Sequence, residues 1–242
     1  MILRLANLAL FILMVVMNYL ANALPINGQT TGALSDAYPN LFVPTGLTFS
    51  IWGVIYLMLF VFVLVQFRDS NKVIVEQIGW FFALSCLLNS LWIIAWHYQW
   101  LPLSLAIMLG ILVALVAICI SIKTQPMGII KTAFGIYLGW ICIATIANVT
   151  ALLVNYNWEG WGLSEQTWTI IMITIGALIA MMTIVRLKNP MVGIAVVWAF
   201  IGIVIKQKGL HPAIVTTAAV AIGVVGLITI LALFRVKLLY KG

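Results

Sequence analysis

Charge is what this sequence has least of. Only 7% of its 242 residues are Asp, Glu, Lys or Arg, while 65% are hydrophobic. A soluble domain of this length cannot cover itself with so little polar surface. The acidic residues Asp36, Asp69, Glu76, Glu159 and Glu165 all fall in loops or at the ends of apolar runs. No carboxylate and no lysine is expected to be buried inside a run, which weighs against ion-coupled transport, where such a group usually sits at membrane depth. Histidine is nearly absent. His97 and His211 stand apart at run ends and read as polar helix ends rather than as a metal or haem pair. Cys86, Cys119 and Cys142 lack ligand spacing and read as small buried apolar side chains, so no metal site is assigned. Nor is there a Ser-His-Asp set, a phosphate-binding glycine loop or an HExxH step, so no catalytic residue is assigned and hydrolysis has no visible apparatus.

What the chain has is long apolar runs. In lipid every backbone amide must be satisfied internally, and continuous rather than alternating runs make the segments helices. The expectation is an all-α polytopic membrane bundle of about eight spans: Leu5–Leu24, Leu47–Phe67, Gln77–His97, Leu101–Ile122, Ile129–Val154, Thr167–Arg186, Pro190–Ile205 and Pro212–Phe234. The first run resembles a signal peptide, with Arg4 ahead of it and Ala21-Asn22-Ala23 behind. Asn18 and Asn22 interrupt it, however, so it reads as a retained helix. Basic residues sit singly or in pairs at run ends, the pattern of topology signals rather than of a nucleic-acid stripe. Arg4, Arg68, Lys72, Lys123, Lys131, Arg186, Lys188, Arg235, Lys237 and Lys241 fall on one side, and Lys206 and Lys208 on the other. Both termini are therefore expected in the cytoplasm, with a bacterial inner membrane as the setting. The two exceptions imply either a re-entrant seventh span or lysines tolerated outside, and the second is preferred. Texture changes near residue 155, so residues 1–155 read as a five-helix functional unit and 156–242 as a three-helix appendage.

Asparagines and aromatics recur at helical spacing in the first five spans. Asn18 and Asn22 lie one turn apart. Phe49, Trp52 and Tyr56 share a face, as do Ser85, Asn89, Trp92 and Trp96, and again Tyr137, Trp140, Ala144 and Asn148 with Thr145 at the edge. An asparagine in hydrocarbon needs protein or water partners, so these faces should turn inward. The helical rise places most of them in the outer half, around a cavity floored by Trp140 and roofed by the loop after the first span. Interhelical packing is the competing reading of the same residues. Trp80, Trp100, Trp158, Trp161 and Trp168 lie at span ends and read as an interface belt. Gly135 and Gly139 form a GxxxG step compatible with packing or with dimerisation.

These residues resemble the TspO/MBR family of tryptophan-rich sensory proteins. The matching pieces are Pro44 followed by Trp52, Gly53 and Tyr56; Asn89 with Trp92; and Tyr137-Leu138-Gly139-Trp140 with Ala144-Thr145 and Asn148. They cover roughly residues 1–155. The chain departs from the family at Leu47, and at Ile93-Ile94, where the family carries a proline pair. The resemblance implies a five-helix unit, often a homodimer, that binds porphyrins, sterols or other flat apolar molecules. The implied ligand-binding set is Asn22, Pro44, Phe49, Trp52, Tyr56, Asn89, Trp92, Tyr137, Trp140, Ala144 and Asn148. No cofactor is required by this reading; a bound porphyrin or lipid is the expected occupant. The leading function is a ligand-binding membrane sensor or regulator. The alternatives are a transporter or lipid-handling protein, an assembly subunit, and a porphyrin-degrading enzyme.

Overall fold

The computed structural model describes residues 1–24 and 26–239, with side chains as far as Phe234. The basic positions Arg235, Lys237 and Lys241 of the sequence reading lie outside the described side chains. Among the described residues every regular element is helical. The chain forms α1 (Ile2–Ala23), α2 (Thr31–Asp36), α3 (Ile51–Val65), α4 (Lys72–Ile78), α5 (Phe81–His97), α6 (Leu101–Ser121), α7 (Ile129–Asn155), α8 (Glu165–Leu187), α9 (Met191–Gln207) and α10 (Pro212–Leu239). It is a polytopic α-helical membrane bundle. Among the described residues six helices are long and apolar enough to cross a bilayer, α3 counting with the 3-10 turn Gly46–Ser50 that leads into it. Large apolar side chains such as Leu57, Met182 and Val185 are exposed on the outer surface, which is the arrangement lipid selects.

The third expected span is not one helix. Gly79, at φ +56, breaks it between α4 and α5, which meet at 60°. Only glycine takes that backbone cheaply. The resulting α4 keeps Val75 and Ile78 buried and Lys72 and Glu76 outside, a division suited to the membrane surface. The expected α5–α6 turn forms through Gln99 at φ +57, with Trp100 N–H donating to the Ala95 carbonyl at 2.8 Å.

The packing order is α1 on α5, α5 on α6, α6 on α7, and α3 and α9 on α7, with α10 against α8 and α9. The Gly135/Gly139 step is the seat of α9. A Cβ on Gly139 would collide with the Val192 carbonyl and come within 3.0 Å of Ala195 Cβ, while one on Gly135 would meet the Asn189 side chain. That glycine face therefore serves packing within the chain. Asn189 Nδ2 donates to the Lys131 carbonyl at 2.8 Å beside the start of α7, and Gln207 Nε2 donates to the Leu41 carbonyl at 2.9 Å in the first loop. So α9, roughly 25 Å long by its helical rise, reaches from one end of the bundle to the other and is not re-entrant.

At the end away from that loop, Phe62, Phe82 and Phe134 pack edge to face with centroids 4.9–5.7 Å apart. Nearby, Asn7 Nδ2 donates to Gln66 Oε1 at 3.0 Å, and Gln66 Nε2 to the Arg4 carbonyl at 3.1 Å. The expectation that no span buries a lysine fails at Lys131, which is only 3% exposed. The α6–α7 turn folds over it, and its ammonium donates to the Lys123 and Gln125 carbonyls at 2.8 and 2.9 Å. It closes a helix end rather than standing at membrane depth.

Candidate ligand-binding site

The other half of the bundle is not filled. On α7, Ala144, Ala147, Asn148 and Ala151 share a face, and the three alanines leave room in front of it. Trp140 lies one turn deeper, 2% exposed. Its ring packs edge to face on Phe49 at 5.8 Å and on Trp52 at 6.2 Å between centroids. Trp92 and Trp96 stack on each other at 5.5 Å. These residues line a small chamber of about 60 Å³, floored by Trp140, with Pro44 and Val43 also in its lining. A second, open cleft of about 770 Å³ lies between α1 and α3, lined by Asn18, Tyr19, Asn22, Phe49, Trp52, Tyr56 and Trp92. Phe49, Trp52 and Trp92 border both spaces and form the wall between them.

Of the eleven residues named from sequence, Pro44, Phe49, Trp52, Trp92, Trp140, Ala144 and Asn148 line the small chamber. Asn22 and Tyr56 line the open cleft. Asn22 is exposed at its mouth and spends its amide on the Asn18 carbonyl at 3.0 Å, one turn back on its own helix. Asn89 and Tyr137 line neither space. They are the middle of a strut: Asn18 Nδ2 donates to Asn89 Oδ1 at 2.8 Å, and Asn89 Nδ2 to the Tyr137 hydroxyl at 3.3 Å. The strut ties α1, α5 and α7 together below the cavity, so for these two the packing reading describes the geometry. Ser85 and Thr145 return their hydroxyls to Phe82 and Ile141 carbonyls of their own helices.

The roof comes from the loop between α1 and α3. Thr31, Ser35, Asn40 and Val43 line the small chamber. Thr31, Ser35 and Asn40 were not singled out from sequence, because they lie in the short helix α2 and the irregular chain after it, too short a stretch for a periodic signal. Thr30 caps α2 by accepting from Ala33 N–H at 3.2 Å. Asn40 Nδ2 donates to the Tyr38 carbonyl, and its Oδ1 accepts from the Phe42 and Val43 amides at 3.1 and 2.9 Å. His97 holds the roof. Its Nδ1 lies 2.8 Å from the Ile93 carbonyl and its Nε2 3.4 Å from Thr31 Oγ1, while its carbonyl accepts from Asn27 Nδ2 at 3.0 Å. The Tyr38 hydroxyl donates to Gln99 Oε1 at 3.2 Å, and burial raises its pKa above the usual phenol value. It therefore stays a neutral donor.

Buried polar groups are usually partnered, and around this cavity several are not. The indole Nε1 of Trp92, the indole Nε1 of Trp140 and Asn148 Nδ2 are all buried without a hydrogen-bond partner, and all three residues line the small chamber. The Tyr56 hydroxyl, in the open cleft, is likewise unpartnered. An indole N–H can only donate. Each buried orphan costs about 1–3 kcal/mol, so their concentration around one space is a chemical feature of the site: it is short of acceptors.

The fold and site define a class: a helical membrane protein with an aromatic, donor-rich cavity under a structured loop. The model of the family described as TSPO-like protein matches residues 4–231, and the chain belongs to that family. The match runs well past residue 155 into the last helices. No curated protein and no solved structure matches the chain.

Proposed function

We propose that this chain is a membrane ligand-binding sensor or regulator that holds a flat apolar ligand bearing a hydrogen-bond acceptor. The candidates are a porphyrin or other tetrapyrrole, a sterol, or a lipid. The observation that carries this reading is the set of unpartnered donors on Trp92, Trp140 and Asn148 around one chamber. Size divides the work between the two spaces. Drug-sized ligands occupy about 300–1,000 Å³. The open cleft of about 770 Å³ matches that range and the 60 Å³ chamber does not. The ligand body therefore lies in the cleft against Trp52 and Tyr56, and its acceptor edge reaches past Phe49 toward the donors. Aromatic faces suit a flat body.

On this reading residues 1–155 carry the site and 156–242 brace it. Trp198 Nε1 donates to the Thr48 carbonyl at 2.8 Å, next to the wall residue Phe49. The Thr45 amide donates to the Gly202 carbonyl at 3.4 Å. Arg4, Lys123, Lys131 and Lys188 at the end away from the roof support both termini in the cytoplasm of a bacterial inner membrane. Any homodimer would use a face other than the glycine step that α9 fills.

Titration of a porphyrin against the intrinsic tryptophan fluorescence tests the proposal. Saturable quenching is expected, and it should be lost in Trp140→Ala with Asn148→Ala. Unchanged affinity in that double variant would remove the chamber from the site. Flux in proteoliposomes and product formation under light and dark conditions separate binding from transport and from porphyrin breakdown.

A further inference from the structure

We propose a second binding site, for an amphiphilic ammonium compound, in the cavity between the roof loop, the end of α7 and the start of α8. This cavity has a volume of about 400 Å³ and shares only Asn40 with the small chamber. The inference stands independently of the function proposed above.

Three tryptophans expected only as interface residues meet here. Trp158, Trp161 and Trp168 pack on one another with ring centroids 4.9–5.8 Å apart, and Trp158 and Trp168 line the cavity. Their loop is tightly wound: Asn157, Gly160, Trp161 and Gly162 all have φ between +50 and +79. A tryptophan in that region is rare and costs energy that the surrounding packing must offset. Trp168 Nε1 donates to the Gly160 carbonyl at 2.7 Å, and a Cβ on Gly160 would stand only 3.1 Å from that nitrogen. With its N–H committed to backbone, Trp168 has its π face left to offer a ligand.

The charge of the lining points one way. Glu159 and Glu165 both line the cavity, and no Lys, Arg or His is among its lining residues. Glu165 opens α8, where the helix dipole already favours a carboxylate. Glu159 has no such role and stands beside the tryptophan cluster. Deeper in, Val149, Leu153 and Met172 make the wall apolar. A cation placed over indole faces is attracted by the ring quadrupole, two carboxylates add Coulomb attraction, and the apolar wall takes up a hydrocarbon body. An anion would meet two carboxylates, and a neutral solute would make no use of them.

The test is calorimetric titration of the full chain in maltoside micelles, which carry no ammonium. Hexyltrimethylammonium is the probe and 1-hexanol its uncharged comparison. Saturable binding of the probe is expected, and none of the alcohol at the same concentrations. Glu159→Gln with Glu165→Gln should weaken the probe tenfold or more. Gly160→Ala, which displaces the Trp168 ring with both carboxylates in place, should also weaken it. Equal binding of probe and alcohol, or an unchanged affinity in the Glu159→Gln/Glu165→Gln variant, overturns the proposal. Added phosphatidylcholine distinguishes the sources: competition assigns the site to a lipid headgroup, and undiminished probe binding assigns it to a free ammonium solute.

Discussion

Trp92 and Trp140 carry the same feature in the same chamber, an indole N–H buried without an acceptor. A structural tryptophan buried this deeply normally finds one. Replacement by Phe keeps an aromatic ring and deletes the donor. In Trp92→Phe the gain from removing an unpartnered N–H and the loss from a smaller ring oppose each other, so the melting temperature should move little. Porphyrin affinity should fall about tenfold, the equivalent of one hydrogen bond of ~1.4 kcal/mol. A purely structural tryptophan would give the opposite split: a large drop in melting temperature with no specific change in affinity. The asparagines do not behave as one group. Asn148 Oδ1 accepts from the Ser104 hydroxyl at 3.2 Å and its Nδ2 has no partner, whereas Asn89 has both amide atoms in the strut. Their sequence signatures, a polar residue on an aromatic face, are the same.

At the level of elements, α7 is the hub. One of its faces carries the cavity and another carries the glycines under α9. Gly139→Val should destabilise the protein by about 1–3 kcal/mol or more, because the Val192 carbonyl and Ala195 Cβ already occupy the space. Gly53→Ala is its counterpart. A Cβ there meets nothing within 4 Å, and replacing a mid-helix glycine by alanine stabilises by roughly 0.5–1 kcal/mol. Thermal or denaturant melts of the two variants in detergent compare them directly. Destabilisation of equal size at both positions would show that the GxxxG step has no special part in seating α9. The break at Gly79 belongs to this scale as well. Only Gln77 and Ile78 of the expected span precede it, so the apolar run that hydropathy reads lies almost wholly beyond the break.

Across the whole molecule, α9 lines neither space of the site but reaches it through backbone carbonyls and through the close seat of Gly202 against Pro44 and Thr48. Trp198 and Gln207 of α9 hold Thr48 and Leu41, which flank the wall and the roof. Trp198 lines neither space, yet Trp198→Phe should weaken porphyrin binding several-fold and speed its dissociation, as measured by stopped-flow quenching. Dissociation at the wild-type rate would mean that the appendage does not brace the wall.

The sequence alone determined the medium, the helical class and the order of the spans, because a chain with 7% charged residues and repeated apolar runs has no other way to satisfy its backbone. It also placed Trp52, Trp92, Trp140 and Asn148 on inward faces, since helical spacing sets which residues share a side. Tertiary structure decided the rest. Whether an inward asparagine becomes strut or lining depends on what a distant helix puts opposite it. The contribution of Thr31, Ser35 and Asn40 to the roof depends on a loop whose shape comes from contacts with α5 and α9. The separation of one expected cavity into a small donor-lined chamber and a larger cleft follows from how Phe49, Trp52 and Trp92 meet across two helices, a long-range packing outcome that no local pattern encodes.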